Sequence, residues 1–171
     1  MPRAIAIGEP APDFSLPGVA PEGRGEFTLS AQRGAPVVLA FYPGDETLVC
    51  TREMCSYERG LETFDGLSAT LWGISPQGLE SHEKFAAHRS LTFPLLADTD
   101  KKVAELYGVY GRLMIKRGVF VIDAHGILRW SRVSKTGLTY PSVDEIGAVL
   151  GSLTSEPYPA SGPTTERAEK N

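Results

Sequence analysis

The sequence predicts an α/β sandwich, a mixed β-sheet flanked by helices. Three observations carry that reading. The run PVVLAFYP, Pro36 to Pro43, is continuously apolar and bounded by prolines, as in a strand buried on both faces. Strand-like runs then alternate with stretches whose apolar residues recur at helical spacing. Finally RGVFVIDAHGILRWSRVS, from Arg117 to Ser134, reads as two strands around a turn at DAHG, which adds an antiparallel pair.

The elements follow in order. The first 30 residues are rich in Gly and Pro and read as short extended pieces joined by turns. After Pro43 comes a turn, GDET. Met54, Tyr57, Leu61 and Phe64 then fall at helical spacing, which predicts one amphipathic helix from about Cys50 to Phe64. ATLWGIS, Ala69 to Ser75, is a second buried strand, and GLESHEKFAAHRS a second helix. TDKKVAELYGV predicts a short helix ending near Gly108. SVDEIGAVLGSL closes the domain as a helix, with Ser142 as N-cap and Glu145 three residues on, the pattern of a capping box. The expected organisation is one domain over residues 1–153 and a flexible polar, Pro-rich tail over 154–171.

Composition narrows the function classes. The chain has 171 residues, 42% of them hydrophobic, and a net charge of -4, which argues against a nucleic-acid binder. No apolar run approaches the roughly 20 residues that span a bilayer, and no signal peptide is visible at the start. The expected compartment is a reducing cytoplasm, where two cysteines mean metal or catalysis more often than a permanent disulfide.

Both cysteines lie in FYPGDETLVCTREMC, at Cys50 and Cys55. Ligand sites in α/β sheets gather at the carboxyl ends of strands. The strand ending at Tyr42-Pro43 and the helix starting near Cys50 put that thiol at such an end, in a first helical turn. Unsatisfied N–H groups there favour an anion, and a thiolate is the reactive form of cysteine. Cys55 lies a turn and a half further on. In an intact helix the two Cα atoms are ~8.5 Å apart, beyond the ~7 Å a disulfide tolerates. If the pair reacts, the first turns must unwind. The competing reading for each is a buried small hydrophobe, and for Cys55 it stays open. A metal site would need more ligands. His82 and His88 are six apart, which is wrong for a shared helical face, and His125 sits in a turn; all three read as surface histidines.

FYPGDETLVCTREMC resembles the active-site segment of the peroxiredoxins, P-x-x-x-[TS]-x-x-C, filled here by Pro43, Thr47 and Cys50. The second cysteine five positions on resembles the Q-type subfamily, also called bacterioferritin comigratory protein-like. GEPAPDFSLP, TLSAQRGAPVVLAFYP, GISPQGLESHEKFAAHRSLTFPLLADTDKKVAELYGVYG and RGVFVID are similar to family segments in the same order, so the likeness covers roughly residues 5–153. It implies a thioredoxin-like fold and a thiol peroxidase acting on hydrogen peroxide and organic hydroperoxides. By the same resemblance Cys50 is the peroxidatic cysteine and Cys55 the resolving one, in an intramolecular disulfide recycled by thioredoxin or a similar dithiol. Thr47 is the hydroxyl that bonds sulfur and peroxide, Pro43 the ring that shields the pocket, Arg117 the arginine that reaches the sulfur, and Glu53 the residue that holds that arginine. No metal or organic cofactor is implied. A monomer is, with a dimer as the alternative. Without the resemblance nothing in the sequence singles out Arg117.

The chain departs from the family pattern twice. Leu48-Val49 stand where relatives often carry Pro-Gly, and Gly44 replaces a common lysine. The first change makes the loop bulkier and more apolar, which predicts an altered peroxide preference or slower unwinding. Two other functions remain open on sequence: a one-cysteine peroxidase with Cys55 as packing, and a redox-sensing thioredoxin-like module.

Overall fold

The computed structural model describes residues 4–155. Its sheet has seven strands: β1 (Ser15–Ala20), β2 (Gly23–Thr28), β3 (Val37–Phe41), β4 (Thr70–Ser75), β5 (Leu95–Ala97), β6 (Gly118–Ile122) and β7 (Leu128–Val133). Their spatial order is β2-β1-β5-β4-β3-β6-β7. The central β3, β4 and β5 are parallel, and the flanking pairs are antiparallel. The sheet is therefore mixed, as the alternation of runs and the closing strand pair together predicted. The helices are α1 (Leu48–Arg59), α2 (Leu61–Gly66), α3 (Leu79–Arg89), α4 (Lys102–Leu106) and α5 (Val143–Ser155).

β3 is buried along its whole length because it feeds two cores at once. Successive side chains point to opposite faces. Val37, Leu39 and Phe41 join Phe14, Trp72, Tyr107 and Phe120 on the α4 side. Val38 and Ala40 join Met54 and Tyr57 of α1, Phe64 of α2, Phe85 of α3 and Ile146 of α5 on the other. Four helices thus cover one face, and Cys50 lies in that second core.

Several expectations are corrected by tertiary contacts. The helix predicted from Cys50 to Phe64 starts at Leu48 and is broken at Gly60 into α1 and α2. A β-carbon at Gly60 would come within 2.5 Å of the Val143 side chain, so the close approach of α5 requires glycine there. The Gly/Pro-rich start forms a true hairpin, β1 with β2, and the short LLA run adds β5. His82, read as a surface residue, is fully buried.

The β6–β7 turn is built by Asp123, whose Oδ1 accepts the His125 and Ile127 N–H groups at 2.9 and 3.0 Å. Ser142 Oγ accepts the Glu145 N–H at 3.1 Å, the expected N-cap of α5. The Glu145 carboxylate pairs with Arg132 instead of closing a reciprocal box. α5 runs to Ser155, two residues past the expected domain end; the rest of the expected tail lies outside the described residues.

Candidate active site

The second core opens where β3 ends. Tyr42 is still held by the sheet, its N–H donating to Ile74 O at 3.0 Å. The chain then turns through Pro43, Gly44, Asp45 and Glu46 to Thr47, the N-cap residue of α1. Thr47 O accepts the Thr51 N–H at 2.8 Å, which starts the helix. Cys50 is the third residue of α1 and is 0% exposed. It thus lies in the first turn of α1, where unpaired N–H groups favour negative charge.

Arg117, the residue before β6, reaches the Cys50 sulfur. Its Nη2 donates to Cys50 Sγ at 3.2 Å, its Nε donates to Gly137 O at 3.0 Å, and its Nη1 pairs with Glu53. Burial opposes the charge on Arg117, and Glu53 and Cys50 outweigh it, so the guanidinium is held above its ordinary range. Glu53 is itself fully buried, with Oε1 unpartnered. That burial dominates over Arg117 and lifts its carboxyl to about 7.

A cavity of ≈ 520 Å³ leads to this group, walled by Pro43, Thr47, Leu48, Met114, Arg117 and Leu138, among others. Its mouth is apolar, with Leu48, Met114 and Leu138 each more than half exposed. The Thr47 hydroxyl donates to Gly44 O at 3.1 Å, which turns it toward the loop.

Cys55 is half-buried, and both cysteines are free thiols on one unbroken helix. Cys55 opens onto a different cleft, of ≈ 610 Å³, with Arg52, Arg59 and Arg89 in its walls. Leu48 is common to both cavities. The structure therefore joins Cys50, Glu53 and Arg117 directly, sets Pro43 and Thr47 along the approach, and keeps Cys55 apart. Among the described residues, no group of three His, Cys, Asp or Glu side chains could hold a metal ion, and no helix is long and apolar enough to cross a membrane.

Sequence reasoning missed two supports. Gly137, whose carbonyl holds Arg117, is placed by its own N–H donating to Ser134 Oγ at 2.9 Å. Asp45, inside the GDET turn, is anchored by His82. Neither partnership has a local signal, since each joins residues whose proximity only the fold creates.

A reactive-type cysteine at a helix start, an arginine on its sulfur and a mixed sheet behind them define a thioredoxin-like thiol enzyme. The AhpC/TSA family profile matches residues 7–131. Over 140 residues the chain is 39% identical to Peroxiredoxin Bcp of Bacillus subtilis, covering 75% of this chain and 87% of that one. Among solved structures, Mycobacterium bovis AhpC superposes with a TM-score of 0.81 at 23% identity, over 95% of this chain and 99% of that one, which speaks for the fold. Xanthomonas campestris Peroxiredoxin Q superposes with a TM-score of 0.69 at 28% identity, over 81% and 89%. The chain belongs to the AhpC/TSA family and is a peroxiredoxin, a thiol peroxidase.

Proposed function

We propose that this chain reduces hydroperoxides through a Cys50 sulfenic acid that Cys55 resolves as an intramolecular disulfide. The observation that carries this is the Arg117 guanidinium 3.2 Å from a sulfur at a helix N-terminus. The Cys50 thiolate attacks one peroxide oxygen; the S–O bond forms as the O–O bond breaks. The leaving oxygen takes a proton and departs as water or an alcohol, leaving Cys50 as a sulfenic acid. Arg117 and the α1 N–H groups, fixed beforehand, stabilise the developing charge. Thr47 lines the approach and, on rotation about χ1, turns its hydroxyl to the peroxide. Pro43 keeps water from the sulfur, and Glu53 holds Arg117 in place.

The first turns of α1 then unwind. Cys55 sulfur attacks the sulfenic sulfur, the S–S bond forms and water leaves. A dithiol of the thioredoxin class restores both thiols by exchange. The intact α1 supports this order, because it holds the two cysteines apart until it opens. The half-buried position of Cys55 favours a second reading, a one-cysteine peroxidase in which the sulfenate persists. A redox-sensing module is the third, marked by slow reaction with peroxide.

Intact mass after one equivalent of hydrogen peroxide tests these readings. Loss of two hydrogens supports the disulfide cycle, gain of one oxygen the one-cysteine reading, and no change overturns both. We further propose a cytoplasmic monomer. Two cysteines in a chain of this length fit catalysis in a reducing compartment better than a structural disulfide. The exposed rim of Leu48, Leu113, Met114 and Leu138 is what a dimer would bury; sedimentation distinguishes the two.

A further inference from the structure

The loop from Pro43 to Thr47 carries the α1 N-terminus, yet its fixed point is not one of the residues already assigned a role. Asp45 is nearly buried, and three donors converge on its carboxylate. Tyr42 Oη donates to Oδ1 at 2.7 Å. Ser81 Oγ donates to Oδ2 at 2.7 Å, and His82 Nδ1 meets the same oxygen at 2.7 Å. The other ring nitrogen of His82 faces Leu96 O at 3.0 Å. Through these two ring nitrogens His82 bridges the loop to β5 as well as to its own helix α3.

The next residue shows that the loop is under tension. Glu46 adopts φ 60°, the left-handed region that non-glycine residues rarely occupy. Such a conformation persists only where the surroundings hold it. Glu46 pairs with His88 and Arg89, each at 3.0 Å, but these partners are exposed and contribute little. The buried, charge-assisted contacts of Asp45 are the stronger restraint.

We propose that Asp45 and His82 are positioning residues for the peroxidatic step: they clamp the loop against α3 and β5, and so hold the folded start of α1 with Cys50 on Arg117. The clamp favours sulfenate formation, which needs the closed arrangement, and opposes disulfide formation, which needs α1 to open. Loosening it must push the two steps in opposite directions. Only Asp45 lies on the loop; Tyr42, Ser81, His82 and Leu96 belong to the scaffold, so the restraint reaches the sulfur through the backbone from Asp45 to Thr47. This inference rests on the peroxidase reading above.

The test is single-turnover stopped flow with hydrogen peroxide, following sulfenate formation and then disulfide formation, with melting temperature beside them. Asp45→Asn is isosteric, but its amide N–H points at the donors on Ser81 and His82. It should slow sulfenate formation about tenfold and quicken disulfide formation at least threefold. His82→Asn keeps a donor near the Nδ1 position but loses Leu96 O, and should lie nearer the parent than Asp45→Asn does. His82→Gln keeps one near Nε2, loses Asp45 and should follow Asp45→Asn. If Asp45→Asn does not fold, Ser81→Ala removes a single donor and should show the same opposed shifts, about threefold each. Rates within twofold of the parent in whichever of these two folds, both steps slowing together, or His82→Asn and His82→Gln behaving alike would overturn the clamp. A lowered melting temperature with unchanged rates would mean a structural role only and would also overturn it. A parent that forms no sulfenate at all would instead sink the peroxidase reading.

Discussion

Arg117 and Cys50 stand 67 positions apart in the chain and 3.2 Å apart in the fold, guanidinium Nη2 to sulfur. The contact exists because β6 pairs antiparallel with β3, with Gly118 opposite Phe41, so the residue before β6 lands where β3 ends. Gly137 O and Glu53 fix the other faces of the guanidinium. Replacing Arg117 with Met should lower the second-order rate constant of Cys50 with hydrogen peroxide about 100-fold, the usual loss for one preorganised donor. Arg117→Lys keeps the charge but not the fork and should fall between. Stopped-flow fluorescence reads both, and a Met variant within threefold of the parent would remove Arg117 from the mechanism.

Cys55 should decide the fate of the oxidised protein, not the speed of its first step. In Cys55→Ser, one equivalent of peroxide should add one oxygen, whereas the parent should lose two hydrogens. Cys50→Ser should do neither. Mass spectra showing a disulfide-sized loss in neither parent nor variant would leave Cys55 without a redox role.

Glu53 gives the fold a dependence on pH. Its carboxyl is lifted by burial to about 7, from an ordinary 4.5. The folded chain keeps a proton that the unfolded chain releases between these values. The resulting stability is present in full below pH ~4.5 and is lost as pH rises through about 7, on the order of 3 kcal/mol in all. Glu53→Gln cannot ionise and lacks this slope. The melting temperature of Glu53→Gln minus that of the parent should rise steadily from pH 5 to pH 8. A flat difference would show that Glu53 is charged throughout.

Leu48 and Val49 occupy the first two positions of α1. Proline suits the first helical position, while glycine at the second costs the helix up to ~1 kcal/mol. Leu48→Pro/Val49→Gly should therefore speed disulfide formation several-fold. It should also open the wall that Leu48 gives to both cavities, shifting preference between hydrogen peroxide and a bulky alkyl hydroperoxide. Rates and preference equal to the parent's would show that these side chains gate nothing.

Ser142 caps α5 through the Glu145 N–H. Ser142→Ala should cost ~1 kcal/mol and lower the melting temperature by a few degrees without changing peroxide kinetics.

The sequence disclosed what depends on local pattern. The prolines around the PVVLAFYP run bounded β3, and the order strand, turn, helix put Cys50 at a helix start. Elements decided by distant neighbours stayed hidden. Nothing near Gly60 announces that Val143 will press on it and split the helix. β5 is three residues long, too short for any periodicity, and exists because β1 and β4 pair on either side of it. His82 looks like a solvent residue between Ser81 and Glu83 until Asp45 arrives from β3's far end. Of the candidate site, Cys50 followed from position, whereas Arg117 required the family likeness, since one arginine among many carries no mark of its partner.

The glycine break after Arg59 has a bearing on the second half of each cycle. With Val143 seated against Gly60, α1 ends where α5 packs, so a melting that starts at Leu48 would meet a boundary there. In the proposed cycle, once a dithiol releases the pair, α1 would rewind from a surviving stub at its carboxyl end. It then avoids the slow step of starting a helix from bare coil, and recovery of the closed site becomes a matter of propagation alone.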